Sequence, residues 1–338
     1  MTNFHNTLFV TTPNAFVAKE GESLKIKVER ETRLQIPIHH LIALVCLGPI
    51  LVSPEAMQAC SEAGVAVVFL SMHGQFLARV EGALSRTATL RRAQYRAADD
   101  APRTLMLARG FVAGKIANSR VMLRRAARTR PDGNEAMGRA ASRLLALEDT
   151  LDKPETLDEL RGIEGEAAAR YFEVFDEMLG DVPFRFEKRT RHPPENEVNA
   201  LLSFGYSMLS VDCLAALQGA GLDPAVGFLH GERPGRPALA LDLMEEFRAI
   251  LVDRMVLAMI RLGQFKPEHF ERFPTGEVRM KEDARKMFLI EYQKRKQETV
   301  THPATGQEAT WGQMPHIQAR LLARAIRGEG EYVPFLAR

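Results

Sequence analysis

Strand-like alternation is confined to roughly the first 80 residues, and helical spacing fills the rest; no other feature narrows the fold as far. Leu24, Ile26 and Val28 alternate with Lys25, Lys27 and Glu29, and Leu34, Ile36 and Ile38 follow a polar turn. ALVCLG (43–48) and VAVVFL (65–70) are apolar runs of strand length, separated by a short helical stretch with Pro54 near its start. SMHGQFLARV (71–80) adds a turn and one more strand. Beyond it, residues 87–128, 135–149, 156–179, 196–219, 238–262, 282–297 and 314–327 carry helical periodicity, with Asn196 placed to cap its helix. The pattern predicts an α+β multidomain chain: a β-rich domain over 1–82, a linking helix over 83–100 and a larger helical domain over 101–338. A length of 338 residues suits two domains of ordinary size.

With 46% hydrophobic and 26% charged residues, the chain can bury a full core and is not of disordered type. It has no apolar run of about 18 residues, so no membrane-spanning helix is expected. MTNFHNTLFV lacks the basic and then apolar profile of a signal peptide. Cys46, Cys60 and Cys213 are odd in number and far apart, which fits reduced core cysteines of a cytoplasmic protein better than a disulfide framework or zinc site.

The net charge of +2 conceals a segregation. Arg79 to Arg130 holds 12 Arg and one Lys against Glu81, Asp99 and Asp100, giving +10, whereas 131–179 holds 13 acids against 5 bases, giving −8. A guanidinium-rich block suits phosphate, so a DNA-backbone surface beside a carboxylate-rich centre is one reading. An exposed helix paired with the acidic segment is the other. Arg91, Arg92 and Arg96 are the candidates here, with Lys188, Arg189 and Arg191 of the connector KRTRHPPENE (188–197), and Arg248.

Glu164, His230, Asp242 and Glu245 could together form an oxygen-rich site for a divalent cation with one nitrogen ligand. On a helix over 158–179, Glu164 shares the stripe of Leu160, Ala168, Tyr171, Phe175, Met178 and Leu179, while Glu166, Arg170, Glu173 and Glu177 face the other way. A carboxylate on an apolar stripe must be protonated, paired or metal-bound unless the stripe is left uncovered. Asp242 and Glu245, three apart, can reach one point, but with Glu246 and Asp253 they also fit a solvated acidic face on which Arg248 neutralises Glu245. His230 ends the run AVGFLH before the turn-rich GERPGRP, where it can serve as a ligand or base or bond to backbone. No HExxH, paired CxxC or EF-hand spacing is present.

RGIEGEAAARYF (161–172), VGFLH (226–230) and LALDLMEEFR (239–248) resemble the first CRISPR-associated protein family, the integrase and DNA endonuclease of spacer acquisition. NTLFVTTPNAF, FLSMHGQFLARVEG, RRAQYR, RHPPENEVNALLSFGY and THPATGQEATWGQMP narrow the likeness to the version accompanying subtype I-C systems, over essentially the whole length. The resemblance implies a small N-terminal β-sandwich joined to a larger all-α catalytic domain. It implies Glu164, His230 and Glu245 as metal ligands with Asp242 supporting them, and Asn199 near the site. Glu245 stands where some members have aspartate, one methylene shorter. The implied cofactor is Mg²⁺ or Mn²⁺. The implied partners are double-stranded DNA as prespacer and CRISPR repeat, a second copy of the chain, and the second CRISPR-associated protein in a heterohexamer. A non-catalytic DNA-binding scaffold is the alternative.

Overall fold

The computed structural model describes residues 6–82, 88–129, 134–191 and 193–337. Its first part carries β1 (Asn6–Val10), β2 (Phe16–Glu20), β3 (Ser23–Val28), β4 (Glu31–Pro37), β5 (Leu41–Leu47), β6 (Leu51–Val52), helix α1 (Pro54–Glu62), β7 (Ala66–Leu70) and β8 (Phe76–Val80). One sheet has the order β1-β5-β7-β8, with β8 antiparallel to β7 and the other pairs parallel. The second has the order β4-β3-β2-β6, antiparallel except for the short β2–β6 pair.

Val10, Leu44, Cys46 and Val67 of the first sheet share a buried core with Val17, Leu24 and Ile26 of the second. Helix α1 closes this core with Ala56, Ala59 and Cys60. Ser53 caps it by accepting from the Ala56 N–H, and Pro54 takes the first turn, where its missing N–H costs nothing. The opposite face of β5, with Ala43, Val45 and Leu47, packs into the core of the helical body. ALVCLG is therefore an unbroken apolar run because both faces of β5 are covered. All three cysteines are free and buried; burial pushes the Cys46 thiol up to about 12 and that of Cys60 up to about 11.

Helices follow: α2 (Ala88–Asp99), α3 (Ala101–Thr129), α4 (Asn134–Glu148), α5 (Leu157–Glu173), α6 (Phe175–Leu179), α7 (Glu197–Ala220), α8 (Ala238–Met244), α9 (Arg254–Arg261), α10 (Glu282–Gln297) and α11 (Met314–Ile326). Three stretches expected as single helices are broken. At 87–128 the break falls at Asp100, whose side chain accepts from the Arg103 N–H at 3.0 Å and restarts the helix. At 156–179 it falls at Val174. Between α8 and α9 the chain makes a turn and then a π-helical segment, Arg248–Asp253. The helical part is also not all-α: β9 (Phe270–Arg272) pairs with β10 (Val278–Met280), and β11 (Thr299–Thr301) with β12 (Glu308–Thr310). Ladders of three residues are too short to register as alternation in the sequence.

Helix α7 is the spine. It is long and apolar enough to cross a bilayer, but 83% of its most apolar stretch is buried against protein, as befits a core helix. Asn196 caps it, accepting from the Asn199 N–H at 2.8 Å, and Gly221 ends it in the left-handed region at φ 85°. It packs on α8, α11, β5 and β7. At the junction with the sheet, Asp212 of α7 accepts from Lys296 Nζ at 2.6 Å and Tyr292 OH at 2.8 Å. Lys296 also donates to Thr7 Oγ1 on β1 at 2.8 Å, so α7, α10 and β1 share one buried polar knot.

Candidate functional site

Four acids of the segment 242–253 that fit a solvated face are buried instead: Asp242 0%, Glu245 3%, Glu246 0% and Asp253 1% exposed. Each persists because it has its own partners. The Asp242 carboxylate accepts the backbone N–H groups of Phe228, Leu229 and His230 at 2.6, 3.0 and 2.8 Å, which folds GFLH around it. Gly227 permits this approach, since a Cβ there would lie 2.8 Å from Asp242 Oδ2. The same carboxylate lies 2.7 Å from His230 Nδ1. An ionised carboxylate only accepts, so Nδ1 carries the proton and Nε2 is turned to the other side of the ring. Nε2 then lies 4.0 Å from Glu245 Oε1.

Glu245 joins the remaining charges. Arg248 Nη1 donates to both of its oxygens, at 2.8 and 3.1 Å, so the pairing three residues apart is present, but in the interior. Lys115 Nζ lies 2.8 Å from Glu245 Oε2 and is also bonded to Glu164 Oε1. Burial opposes the charge on Glu245, yet Arg248 and Lys115 outweigh it and hold the carboxyl well below the usual carboxylate range. Glu164 is on the flank of α5: Leu160, Ala167 and Tyr171 are buried, and its own side chain keeps 26% exposure. Thr156 starts that helix by accepting from the Glu159 N–H.

The four sequence candidates thus form one chain of contacts, Asp242 to His230 to Glu245 to Lys115 to Glu164. Lys115 was not among the candidates. Its signal was its place in GFVAGKIAN (110–118), a lone lysine in an arginine-rich block, flanked by the buried Phe111, Val112 and Ile116. A cation on an apolar stripe needs a counter-charge just as Glu164 does. Gly114 brings α3 close enough, for a Cβ there would sit 2.8 Å from Glu246 Cγ. Glu246 accepts from Gln318 Nε2 and the Phe335 N–H, each at 2.7 Å, and from Tyr332 OH; burial pushes its carboxyl up to about 8.

Tyr206 lies beneath the cluster. The Arg248 guanidinium stands 4.2 Å and that of Arg189 5.3 Å from the centre of its ring. Its hydroxyl donates to Asp253 at 2.6 Å, and Tyr171 donates to the second Asp253 oxygen at 3.0 Å.

The cations offered as DNA contacts divide. Arg92, Arg96, Lys188 and Arg191 are exposed and Arg91 is half-buried. Arg248 is buried in its pair with Glu245 rather than presented at the surface. Arg189 turns inward, donating to Asn199 Oδ1 at 2.8 Å and Ser203 Oγ at 3.0 Å, and burial pulls its guanidinium down to about 10. Asn199 fixes this connector, also accepting from the Thr190 N–H and donating to the Lys188 carbonyl. Within the basic block, Arg103 and Arg109 donate to the Ile326 and Pro154 carbonyls, and Arg120 pairs with Glu148 of α4 at 3.2 Å. Part of the block is therefore internal.

Among the described residues, no three His, Cys, Asp or Glu side chains stand close enough together to hold a metal ion as placed. The donor set nonetheless suits a hard divalent cation in kind: two carboxylates and an imidazole, with an ammonium already bridging the carboxylates.

An α+β chain with a carboxylate, imidazole and ammonium cluster, and with exposed guanidinium groups on its surface, has the makings of a phosphoryl-transfer protein acting on a polyanion. The sequence profile of CRISPR associated protein Cas1 matches residues 8–294, and the chain belongs to that family. It is 47% identical over 338 residues to CRISPR-associated endonuclease Cas1 1 of Chlorobaculum tepidum, covering 98% of both chains. A CAS1 protein from Thermotoga maritima has a similar fold, with a TM-score of 0.82 at 21% identity over 98% of this chain and 100% of that one. A chain of a partial Cas6-RT-Cas1–Cas2 complex superposes with a TM-score of 0.67 at 25% identity, over 99% and 100% of the two chains.

Proposed function

We propose that Glu164, His230 and Glu245, with Asp242 behind the imidazole, form the catalytic centre of a metal-dependent DNA endonuclease and integrase. The activity is that of the family, an endonuclease of CRISPR adaptation. The reaction proposed for this chain joins the 3′-ends of short DNA fragments to a CRISPR repeat as new spacers; with water as nucleophile, the same centre nicks DNA. The observation that supports this reading is that Glu164 and Glu245, from distant segments, share the Lys115 ammonium while His230 Nε2, from a third, stands 4.0 Å from Glu245, with no Ser or Cys among these contacts.

Glu164, Glu245 and His230 Nε2 would hold the ion, Mg²⁺ or Mn²⁺, the nitrogen ligand making Mn²⁺ the easier fit. When bound, a divalent cation supplies positive charge to a non-bridging phosphate oxygen and lowers the pKa of an attacking 3′-hydroxyl or water. Asp242 fixes the imidazole in the tautomer that leaves Nε2 unprotonated. Arg248 keeps Glu245 ionised and in place. Arg91, Arg92, Arg96, Lys188 and Arg191 are the proposed backbone contacts, which position a duplex without reading its sequence.

A second copy of the chain, the second CRISPR-associated protein in a heterohexamer, subtype I-C and a cytoplasmic location belong to the same proposal. The similar chain from a Cas1–Cas2 complex supports the partner. The division into a β-sandwich over 1–82, a linker over 83–100 and a catalytic domain over 101–338 is likewise proposed; a core of its own supports the first part, while the larger core also takes in one face of β5 and Leu90 and Ala97 of the linking helix.

The test is labelled branched DNA with purified protein. Cleavage or joining that requires Mn²⁺ and is lost in Glu164→Ala and His230→Ala, with duplex affinity kept within a few-fold, is expected. DNA binding without any metal-dependent reaction in the wild type would assign a non-catalytic scaffold instead.

A further inference from the structure

We propose that Lys115 is a built-in counter-ion that closes the cation seat, its ammonium standing between Glu164 and Glu245 until a divalent ion displaces it. This rests on the reading of the cluster as a metal centre. The argument begins with charge. The groups facing one another here are Glu164 and Glu245, Lys115 and Arg248, and His230 with Asp242. Arg248 and Lys115 already match the two glutamates one for one, and Asp242 is satisfied by the imidazole and three backbone N–H groups. With the imidazole neutral and Asp242 ionised, a divalent ion added to this set would turn a net negative cluster into a net positive one and would share two carboxylates with an ammonium in a largely buried place, where like charges repel strongly. One of the resident cations has to leave the carboxylates.

Geometry decides which one. Arg248 is fixed twice over, by its two hydrogen bonds to Glu245 and by the Tyr206 ring under its guanidinium; exposure does not separate the two cations, at 8% for Arg248 and 9% for Lys115. Lys115 holds its place only through the two glutamates that a metal would claim, because no other partner of its ammonium is found among the described residues. A lysine is a point charge on a flexible four-carbon stem and can swing away without dismantling a planar fork. Glu164, its first partner, is the more exposed of the two acids at 26%, so the seat opens on the side where Lys115 is held. The same contact explains why no three ligand groups stand at metal-binding spacing: the carboxylates are arranged around an ammonium.

The experiment titrates Mn²⁺ into DNA-free protein by calorimetry, with thermal unfolding measured at each metal concentration, for the wild type, Lys115→Met, Lys115→Gln, Lys115→Arg and Glu164→Ala. Lys115→Met and Lys115→Gln are expected to bind Mn²⁺ about tenfold or more tightly than wild type, since an opposing charge at contact is worth one or more pK units. Their melting temperatures should be lowered without metal and raised by Mn²⁺ further than that of the wild type. Lys115→Arg, which keeps the charge, should bind as the wild type does. Gln serves where Met fails to fold. Equal Mn²⁺ affinity in wild type and both neutral variants, with binding lost in Glu164→Ala, would keep the metal centre and overturn the counter-ion. Absence of Mn²⁺ binding in every protein would remove the metal centre itself, and the counter-ion with it.

Discussion

The Arg248 guanidinium lies 4.2 Å from the centre of the Tyr206 ring, and the hydroxyl of that ring donates to Asp253, five residues along the chain from Arg248, at 2.6 Å. In an α-helix, residues five apart point about 140° away from each other. The π-helical turn Arg248–Asp253 removes most of that divergence, so both side chains meet one tyrosine. The ring thereby supports the cation that holds Glu245.

Separating the ring from its hydroxyl tests this platform. Tyr206→Phe keeps the surface under Arg248 but leaves Asp253 one donor short, and should cost about 1.5–3 kcal/mol in urea unfolding while DNA cleavage stays within a few-fold of wild type. Tyr206→Leu removes the stacking and should lower the cleavage rate much further. If the two variants cleave equally badly, the ring is not what positions Arg248.

The burial of Asp253 predicts a pH signature. Burial raises its carboxyl from 3.8 to about 6 against the lowering by Tyr206, Arg248 and Tyr171. Between these values the folded chain keeps a proton that the unfolded chain releases, so this group's contribution to stability falls as pH rises from about 4 to 6 and is fully lost above. The expected loss is roughly 3 kcal/mol, from about two pK units. Asp253→Asn has no such proton. The stability difference between Asp253→Asn and wild type, from urea unfolding at fixed intervals between pH 4 and pH 7, should shift in favour of the variant as pH rises. A difference independent of pH would mean that Asp253 is ionised throughout.

How legible these relationships were depends on their range in the chain. Leu24, Ile26 and Val28 declare a half-buried strand because every second side chain meets the core of the two sheets. Glu164 was conspicuous because its flank of α5 is apolar, and an acid there demands an explanation. The answer, Lys115, is 49 residues earlier, and no local period connects them. Asp242, Glu245, Glu246 and Asp253 fitted a solvated face because a wheel drawn at 100° per residue assumes an unbroken α-helix with one open side; α8 is buried on nearly every side, which takes in Asp242, and the turn after Met244 and the π segment redirect Glu245, Glu246 and Asp253. Their partners, Phe228 to His230, Tyr171, Tyr206, Gln318 and Tyr332, come from five other stretches of chain. The family motifs GIEG, GFLH and LDLMEEFR point to the residues proposed as the site, which the periodicity alone did not bring together.

Arg92 and Arg96 lie one turn apart on α2 and both are exposed, so their charges can be reversed without touching the core. If each meets a phosphate, Arg92→Glu with Arg96→Glu should weaken duplex binding and reduce the magnitude of the slope of log K against log salt by about 2. Fluorescence anisotropy over a salt series reads both quantities, and melting temperature should stay near wild type. An unchanged slope would assign this helix face to protein contacts.

The polar knot between β1, α7 and α10 should be among the most sensitive places for stability. Lys296 and Asp212 have side chains only 3% and 4% exposed, and their 2.6 Å pair ties the strand-bearing part to the helical part through Thr7. Removing one partner from a buried pair leaves an uncompensated charge, which costs about 3–5 kcal/mol, whereas removing both charges costs much less. Lys296→Met alone is therefore expected to lose that amount in urea unfolding, and Lys296→Met with Asp212→Asn to recover most of it. The double variant separates electrostatics from shape, because it keeps the side-chain volumes while Tyr292 retains an acceptor at position 212. A single variant within about 1 kcal/mol of wild type, or a double variant no better than the single, would show that packing between the two parts, not this ion pair, holds them together.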